Sequence, residues 1–263
     1  MPIAIAKAHA FGNDFLFVPS EQVGGDAGAL ARALCDRRHG AGADGLILYT
    51  LAPRRATMRL LNADGSPSEL SGNGLRCLAA LVARAQRLPP GSNVTAETDA
   101  GVKTLDLLAV DGERYTFRAA LGPPEDVRQV RIPVLGETLT ASVLRIGNPQ
   151  CVVLGPLPDA EYFHRFGPAL ATHPIFPAGT NVEFAEIEAP DRVRILIWER
   201  GVGPTMASGT GASASGVAAA AHGGAARAMD VIAPGGTQRV EWHEDGVYLT
   251  GWAEVVFEGH WLK

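Results

Sequence analysis

The chain has 263 residues, 46% hydrophobic and 19% charged, with a formal net charge of −5. That composition is ordinary for a globular protein of one large or two medium domains, and it argues against disorder. No apolar run reaches the roughly 18–20 residues that span a bilayer, and an acidic balance without a basic tract argues against nucleic acid as a partner. Lys7 and His9 interrupt the short apolar N-terminal stretch, which does not read as a signal peptide. Cys35, Cys77 and Cys151 are too few and too scattered for a disulfide framework or a zinc site. A reduced, cytoplasmic protein without metal is expected.

In chain order, residues 1–18 read as two strands around a turn at Gly12, Asn13 and Asp14. Leu30, Ala31, Leu34 and Cys35 line one face of a helix over Asp26–Arg37. Strands are expected at Leu46–Tyr49 and Thr57–Leu61, then a polar loop over 62–70. Ser71-Gly72-Asn73-Gly74 precedes an apolar helix, Leu75–Gln86, stopped by Pro89 and Pro90. A strand meander follows over 93–119, and Gly122-Pro123-Pro124 is the candidate linker. Further strands are expected within Val130–Ile146 and at Cys151–Leu154, Asn181–Ile187 and Val193–Trp198, with a helix over Glu161–Leu170. A loop over Glu199–Ala207 leads to Ser208-Gly209-Thr210-Gly211, then a helix of small residues, Ala212–Ala221, then strands again.

The two Ser-Gly-x-Gly segments share one layout: a strand, a loop, the motif and an apolar helix. In each, a polar residue closes the strand nine positions before the serine: Asn62 before Ser71, Glu199 before Ser208. Self-similarity on this scale implies two related halves. Unpaired amides and partial positive charge at a helix start suit an anion such as a carboxylate, and glycine permits close approach. Two such sites facing one cleft would hold a small acid between their serines. The plainer reading makes both serines ordinary helix caps.

The motifs GNDF (Gly12–Phe15), GAGADGL (Gly40–Leu46), NADGS (Asn62–Ser66), SGNGLRC (Ser71–Cys77), GNP (Gly147–Pro149), GTNVEF (Gly179–Phe184), WERGVG (Trp198–Gly203) and SGTGA (Ser208–Ala212) run in order through the chain. In this it resembles the diaminopimelate epimerases, cofactor-independent amino-acid racemases and epimerases. The resemblance implies an α/β (α+β) fold of two pseudo-symmetric halves, each a curved, barrel-like, mostly antiparallel sheet around a central helix. The expected halves are 1–121, completed by about 252–263, and 122–251. It also implies an active site where the halves meet, an amino-acid substrate, neither metal nor pyridoxal phosphate, and a homodimer. Inversion needs a base on one face of the α-carbon and an acid on the other, which the resemblance assigns to positions 71 and 208. It assigns substrate binding to Asn13, Asn62, Asn148, Asn181, Glu199 and Arg200, and carboxylate binding to the helix-start amides of Gly72, Asn73, Gly209 and Thr210.

Both acid/base positions are cysteine in the epimerases and serine here. A thiol at a helix start can ionise near neutral pH, whereas a hydroxyl needs a neighbouring base. Gln150 stands where the family motif continues with histidine, which leaves Glu199 as the expected helping carboxylate. Three readings stand: an isomerase of weak turnover, a lyase resembling hydroxyproline dehydratases, or a non-catalytic amino-acid-binding relative. A deliberate double cysteine-to-serine exchange is a further source of the same pattern. The three cysteines and the dispersed histidines read as structural.

Overall fold

The computed structural model describes residues 2–68, 71–98 and 101–262. Parts of the expected first and last strands, the 62–70 loop and the 93–119 meander (residues 1, 69–70, 99–100 and 263) lie outside the described residues. The chain divides into two compact units, one of residues 1–119 and 251–263, the other of residues 120–250.

The first unit contains β1 (Ile3–Ala10), β2 (Asn13–Pro19), α1 (Ala27–Cys35), β3 (Gly45–Ala52), β4 (Arg55–Asn62), β5 (Pro67–Ser68), α2 (Gly72–Gln86), β6 (Asn93–Thr98), β7 (Gly101–Asp111) and most of β8 (Arg114–Gly122). The second half of the chain's last strand, β17 (Gly246–Trp261), completes it. β1 pairs antiparallel with β2, β2 parallel with β3 through α1, and β3 antiparallel with β4. β4 then pairs parallel with β6 through α2, and β6, β7 and β8 continue antiparallel. β17 pairs with both β8 and β1, so the ring of strands closes. Closure removes free sheet edges and leaves an interior for side chains. β4 shows the two-residue period that fills it, with Ala56, Met58 and Leu60 buried between exposed Arg55, Thr57 and Arg59. α2 occupies that interior. It is buried without a break from Asn73 to Ala83 and packs against β1, β2, β4 and β6. A helix buried on every side is core, and here it takes Asn73 and Arg76 inside along with its apolar side chains.

The second unit repeats the connectivity with β9 (Glu125–Val134), β10 (Glu137–Ile146), β11 (Asn148–Leu154), α3 (Ala160–Ala171), β12 (Asn181–Ala189), β13 (Arg192–Glu199), β14 (Gly203–Thr205), α4 (Gly209–His222), β15 (Ala228–Ala233) and β16 (Gly236–His243). β11 and β12 are parallel through α3, β13 and β15 parallel through α4, and the remaining neighbours antiparallel. α4 is the counterpart of α2, its alanines and Val217 packed under Ile195, Ile197, Val231 and Val240. Its small residues allow strands to approach closely: a Cβ on Gly216 would lie 2.8 Å from Val240 Cγ1.

The structure departs from the sequence reading in three places. Both central helices start three residues earlier than expected, at Gly72 and Gly209, because the serine before each caps the first turn. The polar loops over 62–70 and Glu199–Ala207 each contain a short strand, β5 and β14, paired back onto β4 and β13. The division between units falls inside β8, between Ala119 and Ala120, rather than at the Gly122-Pro123-Pro124 linker. Strand pairing carries the backbone through to Gly122, and only the two prolines beyond it lack the donors to continue the ladder.

The turn after α1 delivers Asp44 to its partners. There the amides of Gly40, Ala41, Gly42 and Ala43 fold back onto the carbonyls of Asp36, Leu34 and Cys35. A Cβ on Gly40 would lie 2.4–2.7 Å from three backbone oxygens, which no side-chain rotation relieves. Gly40→Ala is expected to destabilise the protein by about 2 kcal/mol or more in urea unfolding. An unchanged midpoint would contradict this packing.

Candidate active site

Ser71 and Ser208 sit in equivalent local geometry. Each has extended backbone, with φ/ψ of −121°/123° and −135°/129°. In each, the hydroxyl oxygen accepts a 3.1 Å hydrogen bond from the third helical amide, Gly74 N–H or Gly211 N–H. The capping reading therefore holds for both serines, and it does not compete with chemistry. An amide donated to an oxygen at the positive end of a helix also favours negative charge on that oxygen. The amides of Gly72 and Asn73 and of Gly209 and Thr210 are the first two of their helices, at the positive end of the helix dipole.

The motif glycines have separate tasks. A Cβ on exposed Gly72 would meet nothing within 4 Å, as close approach by a ligand requires. A Cβ on Gly74 would press Ile47 Cδ1 at 3.1 Å, one on Gly209 would press Leu249 Cδ2 at 3.0 Å, and one on Gly211 would sit 2.6 Å from Glu183 Oε1. These three are glycine because neighbouring side chains fill the space, a correction to the view that the glycines serve ligand approach.

Behind Ser71 lies a braced polar cluster. Asp14 is buried and takes Lys7 at 2.9 Å and Arg37 at 2.7 Å, and Arg37 also bridges to Asp44 at 2.7 Å. Asp44 Oδ2 in turn accepts from Asn13 Nδ2 at 2.7 Å. Asn13 Oδ1 accepts from Asn73 Nδ2 at 3.3 Å, and Asn73 Oδ1 accepts from buried Arg76 at 3.1 Å. Asn13 and Asn73 are thus brought together at the start of α2. Exposed Asn62 stands in its own turn, donating to Ser66 Oγ at 2.9 Å.

Around Ser208 the fold gathers Thr210, Asn148, Asn181 and Gln150. Register explains it: Gln150 on β11 pairs with Asn181 on β12, so Asn148, Gln150, Asn181 and Glu183 share one face. Thr210 Oγ1 lies 3.4 Å from Ser208 Oγ. Asn181 Oδ1 accepts the Arg200 amide at 2.9 Å, while the exposed Arg200 guanidinium donates to the Ala178 carbonyl at 2.7 Å. Glu199 accepts from Thr205 Oγ1 at 3.3 Å, whereas Asn62 donates to Ser66 Oγ.

One residue was missed. Glu183 is fully buried beneath the first turn of α4, and the same point that lies 2.6 Å from its Oε1 lies 3.2 Å from Ser208 Oγ. Glu199 is therefore not the sole neighbouring carboxylate. Burial, reinforced by the charge of Glu199, holds the Glu183 carboxyl well above the usual carboxylate range. Val182-Glu183-Phe184 reads as plain strand, and the available signal was Glu183 lying two residues from Asn181 and so on its face. The cysteines offer no substitute acid: all three are buried free thiols, and desolvation pushes Cys35 up to about 12 and Cys77 and Cys151 higher still.

The diaminopimelate epimerase family model matches residues 5–126 and 142–256. The chain belongs to the diaminopimelate epimerase family. It is 44% identical to the diaminopimelate epimerase of Desulforudis audaxviator, over 98% of each chain, and 40% identical to that of Desulfitobacterium hafniense at the same coverage. Among solved structures it resembles a hydroxyproline epimerase from Agrobacterium vitis (TM-score 0.67, 18% identity, 99% of this chain and 91% of that one). It also resembles a phenazine biosynthesis protein from Bacillus anthracis (TM-score 0.70, 15% identity, all of both chains). These distant likenesses show the shared two-unit α/β fold.

Two outcomes follow from this geometry. Burial raises the Asp14 carboxyl, but hydrogen bonds from Arg37 and Lys7 outweigh it, so the net shift is downward from 3.8. The stabilisation is then present above the unfolded value and lost as pH falls through the lower folded one. Urea stability of the parent is expected to drop between about pH 5 and about pH 2 more steeply than that of Asp14→Asn, and parallel curves would exclude the pairing. Gly72→Ala is expected to leave the melting temperature nearly unchanged, whereas Gly211→Ala costs about 1–3 kcal/mol by calorimetry.

Proposed function

We propose that this chain is a cofactor-independent isomerase that inverts the α-carbon of a diamino dicarboxylic acid, diaminopimelate, with Ser71 and Ser208 as the two proton-transfer groups. The observation that carries the reading is the duplicated cap, a hydroxyl at a helix start in each unit with the same 3.1 Å amide bond. Family membership supplies the reaction class.

In the proposed reaction one serine, in the small fraction that has lost its own proton to solvent, takes the α-proton from one face as alkoxide and becomes a hydroxyl. The negative charge passes into the substrate carboxylate, where the amides of Gly72, Asn73, Gly209 and Thr210 stabilise it. The other serine delivers its proton to the opposite face, so each turnover leaves the proton inventory of the two hydroxyls exchanged. Asn13, Asn62, Asn148, Asn181, Glu199 and Arg200 are the proposed substrate contacts. Serine stands at both positions where the resemblance puts cysteine, and a hydroxyl is far less acidic than a thiol. Weak turnover follows. The reading carries with it a homodimer and a cytoplasmic setting, and three buried, unbridged thiols suit a reducing compartment. Among the described residues no helix is long and apolar enough to cross a membrane.

Exchange of the α-hydrogen for deuterium, followed by NMR on LL- and meso-diaminopimelate in heavy water, tests the proposal. Slow exchange is expected, with a rise of tenfold or more (about 1.4 kcal/mol) when both serines become cysteine. Rapid exchange by the parent would refute the weakness. A raised melting temperature with no exchange even in the double-cysteine variant would refute the isomerase reading in favour of a binder, and an unsaturated product in favour of a lyase.

A further inference from the structure

Gln150 is fully buried, and its amide bridges Glu183 to the hydroxyls at the start of α4. The amide can stand in two orientations, which satisfy different partners. With the amide nitrogen toward Glu183, it donates to the carboxylate oxygens at 3.0 and 3.3 Å, while its oxygen accepts from Thr210 Oγ1 at 3.2 Å and from Asn181 Nδ2 at 3.3 Å. Asn148, whose Oδ1 lies 2.5 Å from that oxygen, has to turn its own amide end for end for this orientation to stand. With Gln150 end for end, Nε2 donates to Asn148 Oδ1 at 2.5 Å and faces Thr210 Oγ1, but it also stands 3.3 Å from Asn181 Nδ2, donor against donor, and the amide oxygen faces Glu183. The second arrangement is a hydrogen bond to Glu183 only if that carboxyl carries a proton, because two acceptors would otherwise meet. The first needs the carboxyl ionised, or its proton directed elsewhere.

The consequence reaches Ser208. In the first arrangement Thr210 donates to Gln150, so it accepts from Ser208, whose proton then points inward. In the second, Gln150 donates to Thr210, Thr210 donates to Ser208 Oγ, and the serine proton is free to point outward. The Ser208–Thr210 distance of 3.4 Å permits either direction.

We infer that Glu183 is a proton-linked positioning residue: through Gln150 and Thr210, its protonation state sets whether Ser208 presents a lone pair or a proton. Gln150 turns and passes no proton, so the device orients without relaying. The other titratable groups that act on Glu183 are Glu199 on β13, whose charge disfavours its ionisation, and the buried Cys151 thiol on β11. α4 contributes only hydroxyls and amides at this point. The inference rests on Ser208 being a proton-transfer group, but its test does not need turnover.

Two measurements decide it. The first is the ¹⁵N shift of the Gln150 side-chain amide against pH in the full chain. A single transition is expected, absent in the near-isosteric Glu183→Gln. A flat shift in the parent overturns the inference, whether or not Glu183→Gln folds. The second reads position 208 directly, as the pH midpoint of the thiol in Ser208→Cys, followed by thiolate absorbance against the parent. Glu183→Gln is expected to move that midpoint by about half a pH unit or more, and by much less when Thr210→Val breaks the bridge. Equal movement with and without Thr210 would reveal only a through-space charge effect and overturn the positioning role. Failure of α-hydrogen exchange, by contrast, would count against the isomerase reading and leave both measurements interpretable.

Discussion

A helix enclosed by strands on every side has one difficulty that apolar packing cannot solve, the amides of its first turn. In this protein the difficulty arises twice and is met twice by the same device, a serine oxygen held 3.1 Å from the third amide. The burial of α2 and α4 depends on it, since an orphaned donor in such a setting costs about 1–3 kcal/mol. The cap also leaves each serine with an oxygen polarised by the helix and a proton still to place. Structural and chemical duties fall on the same atom, and a rigid buried helix is a firm mount for both.

The two caps differ in what stands behind them. Ser71 is half-buried, and its surroundings are organised by fixed charges: Asp14 and Asp44 shared by Lys7 and Arg37, then Asn13 and Asn73. Ser208 is buried, and its surroundings are amides and hydroxyls ending at a carboxyl with no solvent exposure. The first arrangement has one state over a wide pH range, because strong ion pairs hold Asp14 ionised. In the second, burial opposes the charge on Glu183, and the amide of Gln150 that faces it has a different set of partners in each orientation. A repeated fold has thus acquired unlike electrostatics at its two equivalent points.

Much of this was legible in the chain. The 3.6-residue pattern of Leu30, Ala31, Leu34 and Cys35, the two Ser-Gly-x-Gly motifs and the ordered run of family motifs led to the helices, the repeat and the family. What escaped was set by neighbours distant in sequence. Gly74 and Gly211 read as openings for a ligand but are filled by Ile47 and Glu183. The helices begin three residues before the apolar runs, inside the Ser-Gly-x-Gly motifs, as the capping reading of the two serines requires. Glu183 carried no mark beyond its spacing from Asn181.

The sequence by itself determined the strand and helix periods, the duplicated serine motifs and the family, since these depend on residue type and local spacing. Only the tertiary structure decided which glycines are packed, which carboxyl lies beneath Ser208, and that Gln150 joins the two. Those facts come from strand register: pairing Gln150 with Asn181 fixes which side chains share a face, and no local rule of the chain specifies the partner across the ladder.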